Sequence, residues 1–181
     1  MVQANVTNIT DFSMVGESSD VSKIICNASE CDGFYFENVS SLCVSSLSFI
    51  SDSHSITAVY VDDLQIMNCS LANSTNTTLI AHNSSLLLEG NTFANNSGGS
   101  VHQMTFTPGG GIAVAFGNIT FLGQNTFLNN SCTSNICGGG AVYAEKSRVI
   151  FGGNTSFINN MAKTSVFGFP AIIVVEVEYS C

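Results

Sequence analysis

Asp62-Asp63, in VYVDDLQI, is the only adjacent acidic pair in the chain, and Lys146 and Arg148, in AEKSRV, are its only clustered bases. Neighbouring carboxylates can hold a hard cation, and a base beside such a site can take up a proton. No catalytic role is assigned to these four residues unless the fold brings them together; alone, each reads as a solvated turn or edge residue. His54, His82 and His102 are scattered and set in no pattern that would activate a nucleophilic Ser or Cys. The glycine runs at 109–111 and 138–140 are not followed by G-K-S/T, so no phosphate loop is expected. Cysteines without a C-x2-C spacing or nearby histidines give no metal site. The expectation is an unadorned chain with no cofactor and no metal.

Composition narrows the partners. Charged residues make up only 9% of the 181, and four basic residues stand against thirteen acidic ones, a net charge of −9. That balance repels phosphate backbones and anionic lipid, which argues against nucleic acid and membrane surfaces. No apolar run is long enough to insert in a membrane. Twelve asparagines head N-x-S/T sequons: Asn5, Asn8, Asn27, Asn38, Asn68, Asn73, Asn76, Asn83, Asn95, Asn118, Asn129 and Asn154. They are candidate N-glycosylation sites. Two cysteine pairs, Cys26 with Cys31 and Cys132 with Cys137, are each five apart and are candidate local disulfides; Cys43, Cys69 and Cys181 are left over. Both features point to an extracellular or cell-surface location.

A 22-residue period fixes the elements. Leu42, Leu64 and Leu86 are 22 apart, as are Val44, Ile66 and Leu88, and again Phe49, Leu71 and Phe93. A second track runs Phe12/Met14, Phe34/Phe36, Ile56/Ala58 and Thr78/Ile80, continues through Ile112/Val114 and Val142/Ala144, and reaches Ile172/Val174. Alternation at i, i+2 is the strand period. Insertions near 98–108 and 131–138 stretch the step from Phe93 to Phe127 to 34 and that from Phe127 to Phe157 to 30. The spacing predicts an all-β fold, a right-handed parallel β-helix of about seven coils stacked at roughly 4.8 Å. Asn96, Asn130 and Asn160 would mark one corner as a stacked amide ladder.

The chain reads as one domain, with an irregular first coil over 1–33, regular coils over 34–97 and an open strand at 170–181. The start, MVQANVTNIT, does not read as a secretory signal. The strand PAIIVVEVEYSC is expected to continue in a longer chain or to dock another molecule.

F-x-x-N (Phe93 to Asn96, Phe127 to Asn130, Phe157 to Asn160) alternates with GGA-I/V (Gly139-Gly140-Ala141-Val142, with Gly109-Gly110-Gly111-Ile112 as a variant). The phased motifs, over residues 86–160, resemble the repeats of chlamydial polymorphic outer-membrane proteins. They also resemble related right-handed β-helices of secreted eukaryotic proteins within the pectin-lyase-like superfamily. The resemblance implies an adhesin-like, surface-displayed module. The same superfamily includes polysaccharide lyases that use calcium-binding aspartates with a basic residue, so it also nominates Asp62, Asp63, Lys146 and Arg148 as the groups of a degenerate enzyme. Three expectations follow: a non-catalytic module binding a glycan or an extracellular protein, a polysaccharide lyase or hydrolase, and a structural spacer in a larger surface protein.

Overall fold

The structure, a computed structural model, describes residues 2–26, 31–51, 56–98, 110–132, 138–162 and 173–176. Among them every regular element is a strand, and every strand pairing is parallel. Short segments alternating apolar and polar residues, bounded by Asn, Gly and Ser, have the sequence character that produces this.

Three long strands begin the largest sheet: Val2–Val15, Cys31–Ser45 and Ile56–Met67 lie side by side. The third then feeds two series. Its first half pairs with Leu79–His82, followed by Ile112–Ala115, Val142–Glu145 and Ile173–Glu176. Its second half pairs with Ser85–Glu89, then Asn118–Leu122 and Arg148–Phe151. A second sheet runs from Lys23–Cys26 through Ser48–Ser51, Ser70–Ala72, Thr92–Ala94 and Gln124–Leu128 to Asn154–Ile158. The third is short: Ser97–Gly98, Ser131–Cys132 and Met161–Ala162. Parallel neighbours this close in sequence require the chain to travel round between them, an arrangement compatible with a solenoid.

The apolar tracks lie in register for Leu42/Leu64/Leu86, Val44/Ile66/Leu88 and Phe49/Leu71/Phe93, and their buried residues form one core. Phe93 stacks on Phe127 at 4.8 Å and 4°, and Phe127 on Phe157 at 5.0 Å and 11°. Those separations equal the strand spacing, because identical rungs place identical rings above one another. A second stack, Phe121 on Phe151 at 5.0 Å, meets the first edge to face at Phe127.

The other track is corrected at three points. Phe12 and Met14 lie beside Leu42 and Val44, not beside Phe34 and Phe36. Extra residues after Val15 lengthen the first step to 30. Ile56 and Ala58 face Leu79 and Ala81 in place of Thr78 and Ile80. Val142 faces Ile173 in place of Ile172. At residues 56–58, 79–81 and 142–144, and throughout Ile112–Ala115, both faces are buried. Alternation cannot fix a register when both faces are apolar.

Asn96, Asn130 and Asn160 form the expected ladder. Asn96 Nδ2 donates to Asn130 Oδ1 at 2.9 Å, and Asn130 Nδ2 to Asn160 Oδ1 at 2.9 Å. Nδ2 of Asn96, Asn130 and Asn160 also donates inward, to the carbonyls of Leu71, Phe93 and Phe127 in turn. A second ladder, not anticipated, joins Asn91 to Asn125: Asn91 Nδ2 donates to the Ile66 carbonyl, and Asn125 Oδ1 accepts from the Asn91 backbone N–H. Its next rung is Thr155, whose buried hydroxyl lacks a partner. Gly110 fits because a Cβ there would strike the Gly140 carbonyl, and Gly140 is held likewise against the Met161 backbone. Most of the insertions near 98–108 and 131–138 and most of the 170–181 strand lie outside the described residues.

Candidate ligand-binding strip

The acid and base nominated by sequence are not brought together. Asp63 lies level with Ser41 on one neighbouring strand, and on the other side its level passes through Ser85 and Asn118 to Arg148. Three strand spacings separate them, about 14 Å. Asp62 and Asp63 are both exposed, and Asp63 accepts a 2.8 Å bond from Gln65 Nε2. Among the described residues no group of three or more His, Cys, Asp or Glu could hold a metal. A polar cleft of about 640 Å³ is lined by residues 124–126 and 153–156, which include no ionisable side chain. His54 and His102 lie outside the described residues.

A different constellation emerges at one corner. Among the described residues twelve non-glycine residues have positive φ, and the strand registers arrange them in three columns. The first holds Asn8, Asn38, Tyr60, Asn83, Phe116 and Lys146, with φ between 46° and 55°. The second holds Ser46 and Asn68, continued by Gly90 and Gly123. The third holds Asn73, Asn95, Asn129 and Asn159. Asparagine suits such corners because its short amide tolerates the left-handed region. In the first column the long strands bend, and the later ones break in two.

Tyr60 and Phe116 therefore occupy asparagine's place. Aromatic side chains are poorly suited to this backbone region, at a cost of about 1–2 kcal/mol. They are not there to fill the core, since Tyr60 is 51% exposed and Phe116 44%. His82 lies between them, edge to face with Tyr60 at 6.4 Å and with Phe116 at 5.4 Å. Asn83 Nδ2 sits 2.9 Å from His82 Nδ1. Lys146 Nζ stands 5.2 Å from the Phe116 ring centre. The strip is braced from behind. Ser84 Oγ accepts from the Val61 N–H and donates to the His82 carbonyl, and Ser147 Oγ repeats the pattern with the Gly117 N–H and the Glu145 carbonyl. A Cβ at Gly117 would strike the Ser84 carbonyl.

The sequons take on a second meaning. Asn8, Asn38, Asn68, Asn73, Asn83, Asn95 and Asn129 are all corner residues with positive φ. Asn38 Nδ2 donates to Asn8 Oδ1, and Asn129 Nδ2 to Asn95 Oδ1, each at 3.2 Å. Asn5, Asn118 and Asn154 are exposed on strands, Asn76 is half-buried, and Asn27 lies outside the described residues. Cys26 closes one strand and Cys31 opens the next. The free thiols among the described residues are Cys43, half-buried, and Cys69, buried. Cys132 is fully buried and not one of them; Cys137 lies outside the described residues.

Sequence reasoning missed Tyr60 and Phe116. The signal was present: corner positions recur at steps of 30 from Asn8 to Asn38, 22 from Asn38 to Tyr60 and 33 from Asn83 to Phe116. An aromatic where a corner asparagine is due marks a position under another demand. Comparison with protein-family models, curated proteins and solved structures found no match.

Proposed function

We propose that the chain is a right-handed parallel β-helix of about seven coils, akin to the pectin-lyase-like superfamily. It works as a non-catalytic extracellular or cell-surface module for adhesion, engaging a glycan or an extracellular protein. Right-handedness follows from the general rule for parallel crossovers. One observation carries the functional reading: two half-exposed aromatics, Tyr60 and Phe116, hold a corner conformation that suits asparagine, on a scaffold braced behind them. Strain kept at a rigid, exposed site is better explained by contact with a ligand than by stability. Separation of Asp63 from Arg148 speaks against the lyase alternative. In this reading exposed sequons carry glycans, and Cys26 with Cys31 and Cys132 with Cys137 form local disulfides.

The test is one incubation of the secreted, purified chain with a panel of polysaccharides and extracellular proteins, with calcium and without. Retention and polymer length are read together. Retention with polymers intact is the expected result. Shortened polymer would overturn the non-catalytic reading, and no retention by any polysaccharide or protein would favour the spacer.

A further inference from the structure

We propose that the Tyr60–His82–Phe116 strip binds cationic side chains of a basic, extended protein segment; the inference deepens the module reading and rests on it. The corner already shows the interaction. Lys146 lies over the Phe116 ring, so this face takes an ammonium from the chain's own scarce supply of four basic residues. An aromatic face carries negative charge density and attracts a cation placed over it.

The surroundings select the same chemistry. Asp62 and Asp63, both exposed, follow Tyr60 after the buried Val61, and Glu37 lies one strand away, just before Asn38 in the same column. At the far end stand Glu145, Lys146 and Arg148. Carboxylates therefore crowd the Tyr60 end, while the two cations sit at the other. A guanidinium stacked on Tyr60 would have Asp62 and Asp63 beside it for charge-assisted hydrogen bonds. Net charge of −9 attracts a basic partner and speeds its encounter. Tyr60 and Phe116 are two strand spacings apart, about 10 Å; alternate residues of an extended peptide are about 7 Å apart, and two long cationic side chains cover the remainder. Backbone pairing is not what this corner offers, because the strands flanking it are already bonded in register on both sides.

Lys146 is then an internal competitor. It shields the Phe116 face until a partner's cation displaces it, so its removal should strengthen binding. A merely structural cation–π contact makes no such prediction.

The experiment is calorimetric titration of the folded 181-residue chain with an end-blocked arginine-glycine repeat peptide, its citrulline counterpart and a neutral glucan tetrasaccharide. Variants are Tyr60→Asn, Phe116→Asn, Lys146→Asn and the pair Asp62→Asn/Asp63→Asn. Asparagine holds this corner at positions 38 and 83, which favours folding of the corner variants, and strand circular dichroism checks it. We expect the arginine peptide to bind and the citrulline peptide not to. Each ring removed should weaken binding about three- to fivefold, the paired aspartate change about tenfold, and Lys146→Asn should tighten it severalfold. Equal affinity in wild type and both ring variants would place the contact elsewhere and overturn the strip while leaving the module reading intact. Binding of the glucan, lost on Tyr60→Asn and without any for the arginine peptide, would overturn the partner class alone. Weaker binding on Lys146→Asn would remove the competitor role, and absence of all binding would overturn the proposal.

Discussion

Asparagine does three different jobs here, and position decides which. At the corners its amide tolerates positive φ; on the inside of a turn, as at Asn96 and Asn130, it closes a buried hydrogen-bond ladder; on the exposed faces of strands it keeps a chain with few charges soluble. Asn130 is the best-connected member, accepting from the Asn96 backbone N–H and side chain while donating to the Phe93 carbonyl and to Asn160. Asn130→Ala leaves those buried groups unpaired and should cost about 2–4 kcal/mol in urea unfolding. Half-buried Asn160, at the end of the ladder, should cost clearly less. The ladder was readable from F-x-x-N spacing. The corner role was legible only through its recurrence at Asn8, Asn38 and Asn83, since an N-x-S/T triplet looks the same whether its asparagine carries a glycan or turns the backbone.

Cys69 adds a pH dependence at the same scale. Burial raises its thiol pKa above the ordinary value, against the lowering effect of nearby backbone hydrogen bonds. The unfolded chain therefore ionises first as pH rises. Stability is full below the ordinary thiol range, near 8.5, and falls as pH climbs through it toward the folded value. Urea midpoints should drop between neutral pH and mildly alkaline pH, and the drop should shrink in Cys69→Ala. Half-buried Cys43 should react with a thiol reagent well before Cys69 does.

Among the elements, the strands stand or fall by the rung. Phe127 is fully buried between two rings, whereas Phe157 is only partly buried. Phe127→Ala should cost about 3–5 kcal/mol and Phe157→Ala about half that, compared by denaturant midpoints at unchanged slope. Gly110→Ala should cost about 3 kcal/mol, since backbone atoms of neighbouring rungs, not flexible side chains, occupy the space a methyl would need. The sequence displayed these rungs plainly wherever one face was apolar and the other polar, as at Leu42, Leu64 and Leu86. It misled by one residue around Thr78 and Ile80, where burial of both faces erased the alternation.

As a whole molecule, the chain presents an acidic surface around a rigid stack, with one corner column that departs from its own rule. Asp63 and Arg148 lie three strand spacings apart, and the account rests on contact at the corner column. If Tyr60 and Phe116 are kept for a ligand, the fold should be better off without them. The decisive measurement is urea unfolding of the Tyr60→Asn/Phe116→Asn double variant beside the wild type. Relief of two left-handed aromatic corners, less the ring and cation–π contacts forfeited, predicts a gain of about 1 kcal/mol. A loss of stability instead would mean that the rings hold the corner together, and would contradict the claim that they are strained there for binding.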